Sequence, residues 1–136
     1  MPIVNRGSAT AVATDAAAAE KIILTLNPNQ DAASGGGVPN LIEGTINVTP
    51  GTSTTAVVVK CRQGSLIGGT QVGPSLTQTL AATANGNIPF QFEDAAPVAN
   101  AGNQYNITVT QTAGAAAGTV NYAYCKVTSI SGVSSS

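Results

Sequence analysis

Few side chains in this sequence could support catalysis or hold a metal ion. The 136 residues include no histidine, no tryptophan and only two cysteines, Cys61 and Cys125. Without histidine there is no imidazole-based triad, and zinc would lack two of the four ligands that it normally takes. We therefore predict two buried thiols that face each other across neighbouring strands, and the spacing leaves open whether they form a disulfide.

The acidic and glycine-rich motifs are equally weak signals for a site. Glu93 and Asp94 form a carboxylate pair, but Ca²⁺ takes six or more oxygen ligands and the other acidic residues are scattered along the chain. Residues 64–70 approach the composition of a phosphate-binding loop, but they lack its lysine and the helix that must follow. We expect a solvated strand end and a hairpin loop here, with no cofactor, no metal and no enzymatic activity.

Charge is scarce along the whole chain. Five basic and six acidic residues give a net charge of −1, and charged residues make up 8% of the sequence, against roughly 25% in an average soluble domain. Nucleic acids and anionic membranes require a basic surface, so neither is an expected partner. No apolar run reaches the roughly 18 residues of a membrane span. Copies with so little charge repel each other weakly, which favours association and a partner that covers the surface.

The elements that would position these residues are β-strands, because apolar and polar residues alternate from Lys21 onward. The predicted strands are 21–26, 42–49, 54–62, 74–80, 88–93, 105–110 and 119–130, with short pieces at 66–67 and 71–72. Asn85-Gly86 signals a tight turn, and Gly44 is predicted to mark a bulge. Pro89 has no N–H to donate, so its strand should lie at a sheet edge or contain a bulge. About eight strands at this spacing predict an all-β fold, a single antiparallel β-sandwich or barrel.

These patterns divide the chain into an N-terminal arm over residues 1–19, a β-sandwich domain over 20–130 and a C-terminal tail over 131–136. Asp15 interrupts the apolar stretch that a secretory signal would need, so we expect synthesis and retention in a host cytoplasm. The thiols are then reduced by default, and they could still pair later if the protein ends up outside the cell. A short helix starting at Asp15 is the alternative for the first segment. With so few large apolar residues it would be marginal, and an extended arm is the favoured interpretation.

The last predicted strand has few polar residues on either face. One face carries Val120, Tyr122 and Tyr124, and the other carries Asn121, Ala123, Cys125 and Val127. Such a strand is buried on both sides, either by a second sheet or by another subunit, and we favour the subunit. The predicted subunit interface comprises Tyr105, Val120, Tyr122 and Tyr124. For Tyr105, core packing with the hydroxyl at the rim is the alternative that we prefer.

The order of strands and turns from Thr54 to Ile130 resembles a known group of domains. The features that carry the resemblance are Lys60-Cys61-Arg62, Gly73-Pro74, Asn85-Gly86, Ile88-Pro89-Phe90, Phe92-Glu93-Asp94, the strand 105–110 and the closing strand 120–130. They are similar to the small jelly-roll or tumour-necrosis-factor-like domains of virion surface proteins, in particular the decoration (cement) proteins of tailed-phage capsids. The resemblance covers a little over half of the chain and includes no diagnostic motif.

The resemblance implies a jelly-roll sandwich with an extended N-terminal arm and a role as a virion structural protein. Such a protein would form a homotrimer on the outer surface of the capsid, bind the major capsid protein and bridge neighbouring shell subunits. The capsid-contacting residues of the arm would be Ile3, Val4, Arg6 and Val12. The alternative is a receptor- or carbohydrate-binding knob of a fibre or spike, which the absence of tryptophan and the shortage of exposed-looking rings disfavour. Enzymatic activity is the function that the sequence favours least, because acidic, basic and metal-binding residues are so sparse.

Overall fold

The computed structural model describes residues 3–13, 20–26, 40–64, 69–94, 104–111 and 117–129. Eight β-strands contain most of these residues. Their bounds are β1 Ile3–Ala13, β2 Lys21–Leu26, β3 Asn40–Thr49, β4 Thr55–Gln63, β5 Thr70–Leu80, β6 Gly86–Asp94, β7 Tyr105–Thr110 and β8 Thr119–Ser129. Across these described ranges, no helix has the length and apolar character needed to cross a membrane.

The strands form two four-stranded sheets that pack face to face. Sheet A has the order β1-β8-β3-β6, and sheet B has the order β2-β7-β4-β5. All six strand pairings are antiparallel. This order is that of the eight-stranded jelly roll, so the predicted antiparallel β-sandwich is confirmed. Pro89 lies in β6, an edge strand of sheet A, as its missing N–H requires.

The core forms because alternate residues of both sheets point toward each other. In β4, Val57, Val59 and Cys61 are fully buried, while the residues between them are partly exposed. In β6, the rings of Phe90 and Phe92 lie with centroids 5.6 Å apart and planes tilted by 33°. Burial of each large apolar side chain stabilises the fold by about 1.5–3 kcal/mol.

Residues 3–13 form an edge strand of sheet A, where the sequence predicts an arm outside the sandwich. β1 pairs with β8 over its whole length and is the first strand of the jelly roll. The extended conformation agrees with the prediction, but the pairing was not expected because this segment lacks clear apolar alternation. The predicted helix alternative and the predicted tail lie outside the described residues.

One continuous strand, β5, replaces the two pieces predicted at residues 71–72 and 74–80, and the piece predicted at 66–67 lies outside the described residues. It contains two more residues than the facing stretch of β4, which produces a bulge in the edge strand of sheet B. At the bulge, Gly73 adopts a left-handed φ of 70° and Pro74 follows it. The side-chain amide of Gln71 donates to the Gly73 carbonyl at 3.1 Å and to the Ser75 hydroxyl at 3.0 Å. Pro74 is tolerated because an edge bulge has no ladder hydrogen bond to lose.

The turn signal at Asn85-Gly86 does not close a hairpin, since β5 and β6 belong to different sheets. The chain turns earlier, where the N–H of Ala84 donates to the carbonyl of Ala81 at 3.1 Å. Thr83 lies in this turn with a left-handed φ of 58°. Gly86 instead begins β6, so the tight turn was predicted slightly too late in the chain.

Candidate binding face

β8 places two tyrosines on the outer face of sheet A, the side of that sheet turned away from the core. The register between β3 and β8 shifts by one residue at Asn121. This bulge reverses the alternation, so Val120 is buried on the same side as Ala123, while Tyr122 and Tyr124 lie outside. Tyr122 is 44% exposed and Tyr124 is 42% exposed, and they are the exposed large hydrophobic residues of the described chain.

Two of the four residues predicted to form a subunit interface lie in the core instead. Tyr105 and Val120 have no exposed surface. Val120 was assigned to the wrong face because the sequence gives no sign of the bulge at Asn121. Tyr105 alternates regularly with polar residues, and its ring fills the core as the alternative interpretation expected. Tyr122 and Tyr124 are the two predicted interface residues that the fold leaves at the surface.

The hydroxyl of Tyr105 is bound within a buried polar group. It donates to Oδ2 of Asp94 at 2.6 Å and accepts from Nδ2 of Asn40 at 2.9 Å. Burial raises the pKa of Tyr105, so the phenol stays protonated and keeps donating. Asp94 is therefore a structural acceptor, while its neighbour Glu93 is exposed, and the two carboxylates do not form a joint site.

An open concavity of about 500 Å³ lies on the outer face of sheet A, beside Tyr124. Strands β3, β6 and β8 supply its lining residues: Glu43, Gly44, Thr45, Pro89, Phe90, Gln91, Tyr124 and Lys126. Two cross-strand rows run through it, Tyr124 to Thr45 to Pro89 and Lys126 to Glu43 to Gln91. The ammonium Nζ of Lys126 lies 3.3 Å from Oε1 of Glu43. The concavity thus combines an exposed ring, an amide and a neutralised ion pair.

Gly44 lies in regular register at this concavity, and the bulge predicted there is wrong. It faces Cys125 of β8 on one side and Phe90 of β6 on the other. A Cβ atom at this position would lie 2.9 Å from Cα of Cys125 and 2.9 Å from Cζ of Phe90, and it would overlap the carbonyl oxygen of Tyr124. The close approach of neighbouring backbones and a ring therefore explains why this position is glycine.

A hydrogen-bonded cluster of asparagines fixes the end of the face near Tyr122. Nδ2 of Asn47 donates to Oδ1 of Asn85 at 2.5 Å and of Asn87 at 2.8 Å. Oδ1 of Asn47 accepts from Nδ2 of Asn121 at 2.7 Å, which ties down the bulge. The Tyr122 hydroxyl donates to Oδ1 of Asn87 at 3.1 Å. Since Asn47 is buried, its amide must be satisfied in this way, and the cluster holds the Tyr122 ring in place.

The two cysteines are free and buried, and they lie in different sheets. The prediction that they face each other across neighbouring strands is therefore wrong. Burial raises the pKa of Cys125 to about 12 and raises the pKa of Cys61 as well. Because the thiolate is the reactive and metal-binding form, both thiols are inert at neutral pH. Within the described ranges, no group of three or more metal-ligating side chains occurs.

On the outside of sheet B, Glu20 lies in a charged cluster that no sequence pattern predicts. Nε and Nη2 of Arg62 donate to the two carboxylate oxygens of Glu20 at 2.5 and 2.8 Å. The Thr108 hydroxyl donates to Oε2 at 2.6 Å, and Nζ of Lys60 lies 3.8 Å from Oε1. The hydrogen bonds from Arg62 outweigh the effect of burial and lower the pKa of Glu20. The cluster covers the polar side of β7, where Thr108 is fully buried.

No protein-family model and no curated protein sequence match this chain. Solved structures with the same fold do match it. The chain is similar to a structure of the infectious bursal disease virus Gx strain, with a TM-score of 0.64, 12% identity and coverage of 97% of this chain and 34% of that chain. It is also similar to the VP2 subviral particle of that virus, with a TM-score of 0.59, 11% identity and coverage of 93% of this chain and 32% of that chain.

This protein therefore spans about a third of the length of the viral proteins that it matches. At such low identity, the similarity establishes the fold and leaves the function to be argued from the surface. The jelly-roll fold expected from the sequence resemblance is confirmed, whereas membership of the phage decoration proteins stays a prediction.

Proposed function

We propose that this protein is a non-enzymatic structural subunit of a virion. As a decoration protein, it would form a homotrimer on the outer capsid surface, bind the major capsid protein and bridge neighbouring shell subunits. The observation that carries the proposal is a jelly-roll sheet face with two exposed tyrosines. Bridging stabilises a shell by linkage, because only the assembled shell offers the whole binding site. Three linked copies add avidity without strong single contacts.

The proposed subunit interface centres on Tyr122 and Tyr124. Aromatic residues are enriched at interfaces, and each ring can bury about 150–250 Å². The hydrogen bond from the Tyr122 hydroxyl to Asn87 restricts its ring before association. Binding therefore costs less side-chain entropy than it would with a freely rotating ring.

Replacing both tyrosines, Tyr122→Ser with Tyr124→Ser, is expected to convert the trimer into a folded monomer. The loss of two interface rings should weaken association at least about a hundredfold. Size-exclusion chromatography with light scattering at micromolar concentration measures the change, and circular dichroism checks that the sandwich is intact. Thr77→Ala with Thr79→Ala, two exposed positions of β5, is the matched control. A trimer that survives the tyrosine substitutions, or a wild-type protein that is monomeric, contradicts the proposal.

The proposed capsid contact is made by β1, with the sequence-predicted residues Ile3, Val4, Arg6 and Val12. β1 is an edge strand, and an edge offers a row of backbone N–H and C=O groups that a strand of another protein can pair with. Arg6 would add a charged hydrogen bond to a shell carboxylate. Deleting the segment is an ambiguous test, because removal of β1 would uncover β8 within the sandwich.

Arg6→Glu is expected to weaken binding to shells assembled from the major capsid protein at least about tenfold, since reversal replaces attraction by repulsion. Co-sedimentation of purified shells with increasing protein concentration measures the affinity. Lys21→Glu reverses a charge in β2 on the other sheet and should leave binding unchanged. Equal binding by both variants and the wild type would remove β1 from the contact.

A second candidate function is binding of a receptor glycan by a virion knob. The sequence disfavours it because few rings look exposed. The fold exposes Tyr122 and Tyr124 on one sheet face, beside a polar concavity. Jelly-roll domains include lectins as well as capsid subunits, so the fold is compatible with either function.

A further inference from the structure

We propose that the concavity on the outer face of sheet A is a binding site for a neutral saccharide, with one or two hexopyranose rings lying across β3 between β8 and β6. The proposal rests on the second candidate function and names its site and ligand class. A cavity of about 500 Å³ falls in the range of small-ligand pockets. Its open shape suits part of a longer glycan chain.

The floor of the site is formed by backbone at its centre. Gly44 pairs with Phe90 and Cys125, whose side chains are buried, so position 44 faces the core and only its backbone borders the concavity. The two outward rows of side chains, through Thr45 and through Glu43, lie on either side of it. A ligand can therefore approach the backbone of β3 between the two rows.

The walls offer apolar contacts that match the C–H faces of a sugar ring. Tyr124 and Pro89 lie in one cross-strand row, with Thr45 between them. Strands two positions apart in a sheet are separated by roughly 10 Å, so a sugar ring that rests over the small side chain of Thr45 can reach both walls. Tyr124 is 42% exposed, so part of its ring is available as a platform.

The polar groups favour a neutral ligand with hydroxyl groups. Glu43 and Lys126 are the two charged side chains of the lining, and they lie 3.3 Å apart, so their charges offset each other. An anionic ligand would have to compete with the carboxylate of Glu43 for the ammonium group. Gln91 is exposed and provides both a donor and acceptors, which suits vicinal hydroxyl groups that donate and accept.

The site and the proposed subunit interface share one residue, Tyr124, and are otherwise separable. Tyr122 lies in the next row, with Asn47 and Asn87, and does not line the concavity. A subunit interface that covers the outer face of sheet A over β1 and β8 can leave the part over β3 and β6 open to a ligand. Tyr124 stands at the boundary between the two areas.

The test is a titration of the full-length, isotope-labelled protein with maltose, lactose and chitobiose, followed by backbone amide shifts. We expect at least one sugar to shift the amides of Thr45, Gln91 and Tyr124 in a saturable way below about 10 mM, a typical range for weak binding. Gln91→Ala should weaken that binding at least about tenfold. Thr79→Ala, an exposed position on the other sheet, should leave it unchanged.

A glycan array separates the ligand classes. Binding of neutral glycans supports the proposal, whereas binding confined to sialylated or sulfated glycans overturns the neutral class. Absence of saturable shifts with all three sugars and of any array signal overturns the site itself. Tyr122→Ser should reduce trimerisation but keep sugar binding, so failure of the trimer and failure of the saccharide site are told apart.

Discussion

Gly44→Ala is expected to lower the free energy of unfolding by about 3 kcal/mol, the upper end of the usual cost of overpacking. The added methyl group would lie 2.9 Å from Cα of Cys125 and would overlap the carbonyl oxygen of Tyr124. Both are backbone atoms of β8, the central partner of β3, so the strain cannot be relieved by rotating a side chain. The sheet would have to separate locally, with loss of ladder hydrogen bonds.

Gly86→Ala is the matched comparison for this effect. A Cβ atom at Gly86 would lie 2.5 Å from Cδ2 of Leu80, but Leu80 is a flexible side chain that can shift. We expect a loss below about 1.5 kcal/mol for this variant. Urea unfolding of both variants and the wild type measures the difference. Equal stability losses at the two glycines would show that the close approach of β8 is not what restricts Gly44.

Glu20→Gln is expected to lower the free energy of unfolding by about 2 kcal/mol at pH 7, because one of the two hydrogen bonds from Arg62 loses its acceptor and the guanidinium loses the anionic partner of this cluster. Only 13% of the Glu20 side chain is exposed, so water replaces the lost bonds poorly. Glu93→Gln, at an exposed carboxylate of β6, is the matched control and should change stability little.

The Glu20 contribution should depend on pH in a defined direction. The hydrogen bonds from Arg62 lower the pKa of Glu20 below its ordinary value of 4.5 in the folded protein. The stabilisation is therefore fully present above about pH 4.5 and is lost as the pH falls through the lowered pKa. Urea unfolding of the wild type and Glu20→Gln across this range should show their difference shrinking on acidification. If the difference in unfolding free energy between the two proteins does not vary with pH, the proposed stabilisation by ionised Glu20 is wrong.

The strands with clear alternation were predictable because the apolar residues at every second position show which side of the strand faces the core. In β7, Tyr105, Ile107 and Val109 alternate with polar residues and lie in the core as expected. The missing N–H of Pro89 predicted an edge strand or a bulge, and β6 is an edge strand. β1 was not predicted as a strand of the sandwich. It is an edge strand of mostly small residues held by backbone pairing, and such pairing produces no clear alternation of apolar and polar side chains in the sequence. The resulting error placed the first jelly-roll strand in an arm.

The candidate site was only partly predictable, because bulges change which side of a strand faces the core. A strict alternation along β8 puts Val120 and Tyr122 on one face, but the bulge at Asn121 separates them. Asn121 is held by Asn47 of another strand, 74 residues away in sequence. The bulge and the exposed positions of the two tyrosines therefore depend on a contact between distant residues, which the alternation of residues within one strand cannot predict. The Glu20 cluster is a second example, joining residues 42 apart.

The sequence by itself determined that this protein is built from antiparallel strands and that imidazole-based chemistry is impossible. Both conclusions follow from local alternation and from composition, which need no knowledge of partners. Only the tertiary structure decided which strands share a sheet, which tyrosines reach the surface and where the concavity at Gly44 opens. Those features arise from pairing between distant segments. The physical reason is that strand register, and the distance between neighbouring backbones, are set by two strands together and cannot be read from either strand alone.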